Sequence, residues 1–175
     1  MSQTSLVLTI LGADRPGLVE SIARLVAEHQ GNWLESRMAH LAGQFAGILR
    51  VEVDAEQAEA LTSSLAGLAQ SGLETIIHPD PAAAAIPSDR PLVKLDLLGQ
   101  DRPGIVRQIS GVLAALGVNV EELNTECRAA AETGQPLFHA MADLRLPPDV
   151  SEEALRTALE NVAADLMVDL KLEKK

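Results

Sequence analysis

Gly12-Ala13-Asp14-Arg15-Pro16-Gly17 occurs a second time as Gly99-Gln100-Asp101-Arg102-Pro103-Gly104, so that Asp14 and Asp101 stand 87 positions apart. The likeness runs outward from this turn. Upstream, Leu6, Leu8 and Ile10 match Val93, Leu95 and Leu97. Downstream, Leu18, Val19, Ile22, Leu25 and Val26 match Ile105, Val106, Ile109, Val112 and Leu113. Asn32 matches Asn119, and Glu35 matches Glu122. A repeat of this length is too long for a solenoid unit and suits a small domain. The 175 residues are therefore read as one fold written twice. Copies of about 80 residues bury little surface each and are marginal alone, so an extensive interface between them is expected.

Around each turn the elements follow in the same order. Val93, Leu95 and Leu97 alternate with Lys94 and Asp96, the two-residue period of a strand with one buried face. Pro16 suits a first helical turn, and Asp14 is placed to cap it. Leu18, Ile22, Leu25, Val26 and His29 then fall at helical spacing. Gly31 and Gly117 are expected to stop the helices. Residues 32–41 and 45–53 read as two strands joined at Gly43-Gln44. Asp54 opens a second helix that ends at Gly72, and residues 73–78 read as a fourth strand. The second copy repeats this with a longer hairpin over residues 128–136, Ser151 as a cap, and a last strand over 166–172. The order β-α-β-β-α-β predicts an α+β, ferredoxin-like domain, an antiparallel sheet with both helices on one face. The expected division is residues 1–79, a Pro/Ala-rich spacer over 80–91, with four prolines between 79 and 91, and residues 92–175.

Composition excludes several functions. With 14 Lys and Arg against 25 Asp and Glu, the net charge is −11, and no basic run offsets it. Phosphate neutralisation dominates nucleic-acid affinity, so neither DNA nor an anionic membrane is an expected partner. Trp33, Phe45 and Phe138 are the only aromatic residues, too few for a base-stacking platform. Cys127 is the single cysteine and permits no internal disulfide. No basic, apolar leader opens the chain and no apolar run is long enough to span a bilayer. A cytoplasmic location is expected.

The doubled turn sits where a strand gives way to a helix, a position whose free amides accept an anion. Arg15 and Arg102 are placed to add charge-assisted bonds, Asp14 and Asp101 to face an ammonium group, and Asn32 and Asn119 to donate and accept. Together these suit a small zwitterion. The residues leave a second reading open, in which the turn is only a capped helix start with Arg paired to Asp. A phosphate loop is rejected, since Leu18 and Val19 stand where Lys and Ser or Thr are required. No catalytic set is present. His29, His40, His78 and His139 are scattered without metal-ligand spacing, and Cys127 is expected to be a buried, inert thiol. Neither a metal nor another cofactor is expected.

Leu11-Gly12-x-Asp14-Arg15-Pro16-Gly17, followed by an amphipathic helix, a glycine and Asn32-Trp33 or Asn119-Val120, resembles the start of an ACT domain. Two copies without a catalytic domain resemble the glycine cleavage system transcriptional repressor family. Gly117-Val-Asn-Val-Glu-Glu-Leu123, Gly134-Gln-Pro-Leu-Phe138 and Ala164-Asp-Leu-Met-Val-Asp-Leu170 carry that narrower resemblance. It implies a cytoplasmic amino-acid sensor, not an enzyme, with glycine as ligand and a DNA-binding transcriptional activator as protein partner. It places the ligand at Asp14, Arg15, Pro16, Gly17 and Asn32, and at Asp101, Arg102, Pro103, Gly104 and Asn119, commonly at a domain interface. Trp33 departs from the pattern and is expected to fill the first site, which favours the second. The alternatives are a regulatory subunit of a metabolic enzyme and a plain dimerisation module; a homodimer suits either.

Overall fold

Alternation along the central strands decides which face each sheet buries. A computed structural model describes residues 2–80, 90–131 and 133–174. It resolves into two compact units. The first contains β1 (Gln3–Ala13), α1 (Leu18–Glu28), β2 (Asn32–Leu41), β3 (Gln44–Asp54), α2 (Ala55–Ala66), a 3-10 turn (Gly67–Ser71) and β4 (Leu73–Pro79). The second contains β5 (Leu92–Gln100), α3 (Ile105–Ala115), β6 (Asn119–Ala129), β7 (Pro136–Arg145), α4 (Glu152–Leu166) and β8 (Val168–Lys174).

Both sheets have four strands, ordered β2-β3-β1-β4 and β6-β7-β5-β8, and every neighbouring pair is antiparallel. The ferredoxin-like architecture predicted from the repeat is therefore the one observed. Leu6, Leu8 and Ile10 of β1 pack with Leu49, Val51 and Val53 of β3 and with Leu18, Ile22, Leu61 and Leu65 of the helices. Val93, Leu95 and Leu97 do the same in unit 2 with Ile105, Ile109, Leu155 and Leu159. No polar side chain is buried among the described residues, so these aliphatic cores carry no desolvation cost from unpaired groups.

The helix boundaries differ from expectation in instructive ways. Neither Pro16 nor Asp14 belongs to the first turn of α1. Gly17 caps it at φ 91°, and no side chain caps the helix. Gly104 repeats this at φ 97° before α3. Asp54 likewise caps α2 without a side-chain bond, whereas Ser151 Oγ does accept from the Ala154 amide at 3.1 Å. At the end of α1 the left-handed residue is Gln30, not Gly31; Gly117, its counterpart in unit 2, adopts the same region at φ 66°. Gly31 answers a different need, because a Cβ there would lie 3.0 Å from Val26.

Both ends of the expected spacer are tied to their sheets. The Asp80 amide donates to Ser5, and the Pro91 carbonyl accepts from Leu146. The extended-spacer reading itself falls on residues 81–89, outside the described residues. Among the described residues no helix is long and apolar enough to cross a membrane.

Candidate functional site: twin strand-to-helix corners

The first corner is pinned from two sides. The Asp14 amide donates to Gly43 at 2.9 Å, fixing the exit of β1 against the β2–β3 hairpin. An Arg15 guanidinium N–H donates to the Ser71 carbonyl at 2.9 Å, fixing it against the end of the 3-10 turn. Unit 2 repeats both ties. The Asp101 amide donates to Pro136 at 3.0 Å, and Arg102 donates to the Asp165 carbonyl at 2.8 Å. Carbonyls at a helix C-terminus carry partial negative charge and draw guanidinium groups. Each arginine is thus held by a carbonyl of the neighbouring element and not by the adjacent aspartate.

What remains at the corner is backbone. Positive φ at Gly17 and Gly104 turns the chain into the helix, and a Cβ on Gly17 would meet open space. Backbone bonding within α1 and α3 begins with the Ser21 and Gln108 amides, which donate to the Gly17 and Gly104 carbonyls. The first-turn amides ahead of them are uncapped by side chains and face outward with the positive end of the helix dipole. An anion of the size of a carboxylate suits this position.

Two further side chains join the aspartates, and the 87-residue offset already pairs them: His40 and Cys127. His40 Nε2 lies 3.6 Å from Asp14 Oδ2. Cys127 is exposed, correcting the expectation of a buried thiol. Its pKa is raised above the ordinary thiol value, first by local desolvation, then by the Asp101 charge and by the bond it donates to that carboxylate. Raising the pKa suppresses the thiolate, the reactive form. Alkylation of Cys127 by iodoacetamide at pH 8 is therefore expected to run slower than that of free cysteine. Asp101→Asn removes the charge and should shift the pH–rate profile to lower pH; an unchanged profile would show that Asp101 does not hold the thiol.

Asn32 and Asn119 do not meet the corner of their own unit. Asn32 aligns with Glu52 and through it with Ser5, while the corner follows Ala13. Eight residues of strand at about 3.3 Å each put some 26 Å between them. Asn119 aligns through Arg145 with Leu92, an equal separation from Asp101. Its amide donates to Glu121 at 2.9 Å, and Glu121 also accepts from Arg145. Within each unit, then, the five candidate residues form two groups at opposite ends of the sheet.

Trp33 does not stand at the corner either. Opposite Val51 on the helix side of the sheet, it packs with Met38 on the unit 1 core. Their counterparts, Val120 and Thr125, are smaller and border an apolar cavity of about 50 Å³ beside α3. The copies therefore differ in this cleft as well as in the side chain beside each corner aspartate. Among the described residues no three His, Cys, Asp or Glu side chains group as a metal ion requires.

The comparisons agree with this construction. The ACT domain family matches residues 4–76, which span β1 to most of β4. The chain is 26% identical over 168 residues to the glycine cleavage system transcriptional repressor of Escherichia coli K12, covering 94% of this chain and 87% of that one. A protein of unknown function from Galdieria sulphuraria superposes with a TM-score of 0.88 at 31% identity over 99% of both chains. A putative glycine cleavage system transcriptional repressor of known structure shares the fold, with a TM-score of 0.71 at 19% identity, over 100% of this chain and 99% of that one. The fold is that of two ferredoxin-like units, the first of which matches the ACT-domain family over residues 4–76. Over nearly its whole length the chain is similar to a glycine cleavage system transcriptional repressor.

Proposed function

We propose that the protein is an amino-acid-responsive regulator of transcription that acts through a DNA-binding protein in the cytoplasm. Similarity along almost its whole length to a glycine cleavage system transcriptional repressor is the observation that carries this reading. The corners supply the chemistry. Uncapped first-turn amides of α1 and α3 hold the carboxylate of a small amino acid, and Asp14 or Asp101 faces its ammonium group. Glycine is the proposed ligand. A net charge of −11 disfavours direct contact with DNA phosphates, so the output is a protein–protein contact.

Calorimetric titration with glycine, serine and alanine tests the sensing step. Saturable heat with glycine is expected, and Asp101→Ala combined with Asp14→Ala should weaken it at least tenfold, about 1.4 kcal/mol. Absence of heat with all three amino acids would remove the sensor. Affinity capture from native lysate, with and without glycine, tests the output. Recovery of a DNA-binding regulator in a glycine-dependent amount is expected; recovery of a metabolic enzyme instead would overturn the transcriptional role.

A further inference from the structure

The cleft beside α3 in unit 2 begins at the corner. Cys127, whose thiol donates to Asp101, is preceded on the helix side of β6 by Thr125 and Leu123, which line the cleft. Val106, Ser110 and Leu113, on one stripe of α3, form the opposite wall. Phe138, Ala140 and Ala142 of β7 make the floor. Thr125 stands two residues from Cys127, about 7 Å along the strand, and Val106 belongs to the uncapped first turn of α3. The duplication shows how the same space is used in unit 1. Trp33, Met38 and Leu49 stand where unit 2 has Val120, Thr125 and Ala142, matched by the 87-residue offset and, for Leu49, through its pairing with Leu8, the counterpart of Leu95. All three pack in or on the unit 1 core, and Met38 lies flat over Gly47, where a Cβ would stand 2.7 Å from its Cγ. Three large side chains are thus replaced by three small ones at one place, leaving about 50 Å³ of apolar space. A fourth difference adds apolar wall, since half-exposed Leu123 stands where unit 1 has Ser36. Protein interiors are otherwise close-packed, so apolar space that opens beside a binding corner is room for a ligand group.

We infer that unit 2 seats the side chain of an aliphatic amino acid in this cleft, whereas unit 1, its cleft closed by Trp33, Met38 and Leu49, takes glycine. This rests on the amino-acid reading of the corners and adds what that reading leaves open, the side chain. With the carboxylate on the first-turn amides of α3 and the ammonium group at Asp101, the substituent at Cα has the cleft before it. Size and polarity set its class. An apolar void of about 150 Å³ holds benzene; one of about 50 Å³ takes the terminal methyls of a valine or leucine side chain and no ring. The Ser110 hydroxyl is already committed to the Arg107 carbonyl at 3.2 Å, and Phe138, Ala140 and Ala142 offer a polar substituent no partner. A hydroxyl buried there loses its water without compensation, so serine gains nothing from the cleft.

Calorimetric titration of the full chain with glycine, serine, valine and leucine tests this. Valine and leucine are expected to bind one site per chain about tenfold or more tighter than glycine, the gain that methylenes make in an apolar pocket, and serine no tighter than glycine. The methyl resonances of Val106, Val120 and Leu123 should shift on adding leucine and not on adding glycine. Val120→Trp with Thr125→Met gives unit 2 the residues unit 1 carries at these positions, and leucine should then bind no tighter than glycine. Its melting temperature should not fall, because the new side chains fill the void. If that double variant misfolds, Thr125→Met alone, at an exposed strand position, should cut the leucine advantage about fourfold, the share of one methylene. Glycine heat with no gain for valine or leucine, leucine heat at two equal sites per chain, or a double variant that keeps the leucine advantage would each overturn the side-chain site and leave the sensing role standing. Absence of heat with glycine and with every other amino acid would remove the sensing role, and the side-chain site with it.

Discussion

Gly12→Ala should lower the melting temperature of unit 1 by roughly 12–24 °C. Gly12 lies in β1 opposite Leu73. A Cβ at Gly12 would stand 2.5 Å from the Gly72 carbonyl oxygen and 3.3 Å from Leu73 Cα. Those are backbone atoms, held by the β1–β4 ladder on one side and by the left-handed turn at Gly72 on the other. No rotamer change relieves the clash, so the strand ends must part. Overpacking of this kind costs about 3 kcal/mol, and a domain this small loses about 4–8 °C per kcal/mol. Gly99 meets the same obstacle from Val168 in unit 2, whose Cα would lie 2.9 Å away. The control is Gly111, inside α3, where a Cβ meets nothing. Gly111→Ala should raise stability by about 0.5–1 kcal/mol, because it removes only backbone freedom from the unfolded chain. Thermal unfolding followed by circular dichroism separates these outcomes; a Gly12→Ala protein melting within a few degrees of wild type would refute the packing argument.

The element order was legible because each feature had a local cause and appeared twice. Alternation at Val93, Leu95 and Leu97 is read without knowing what lies beside it, and the match at Leu6, Leu8 and Ile10 repeats the test. The corner was only half legible. Asp14 looked like a cap because its type and position suit one, yet the positive φ at Gly17 moves the helix start beyond its reach. The bonds that hold Arg15 and Arg102 run to carbonyls 56 and 63 residues away, at separations no local pattern reports. The placement of Asn32 and Asn119 depends on strand register. Period and composition show that strands exist, but the end of the sheet on which a residue falls follows from hairpin pairing. His40 and Cys127 could have been found, since the offset that aligns the two turns also aligns them.

Leu8→Ala and Leu11→Ala, three positions apart on the same strand, should give opposite signatures. Leu8 is fully enclosed and aligns with Leu49 and Ile77. Removing three carbons there leaves a cavity in a core too small to collapse around it, at a cost of about 2–5 kcal/mol. The urea midpoint of unit 1 should fall at nearly unchanged slope, and amide exchange across β1, β3 and β4 should accelerate together. Leu11 points to the other face and is half exposed. Its truncation should change stability by less than about 0.5 kcal/mol. The pair therefore asks of one strand whether its two faces serve different ends. If Leu11→Ala destabilised the protein as Leu8→Ala does, its side chain would already be packed within the unit, against its half-exposed position.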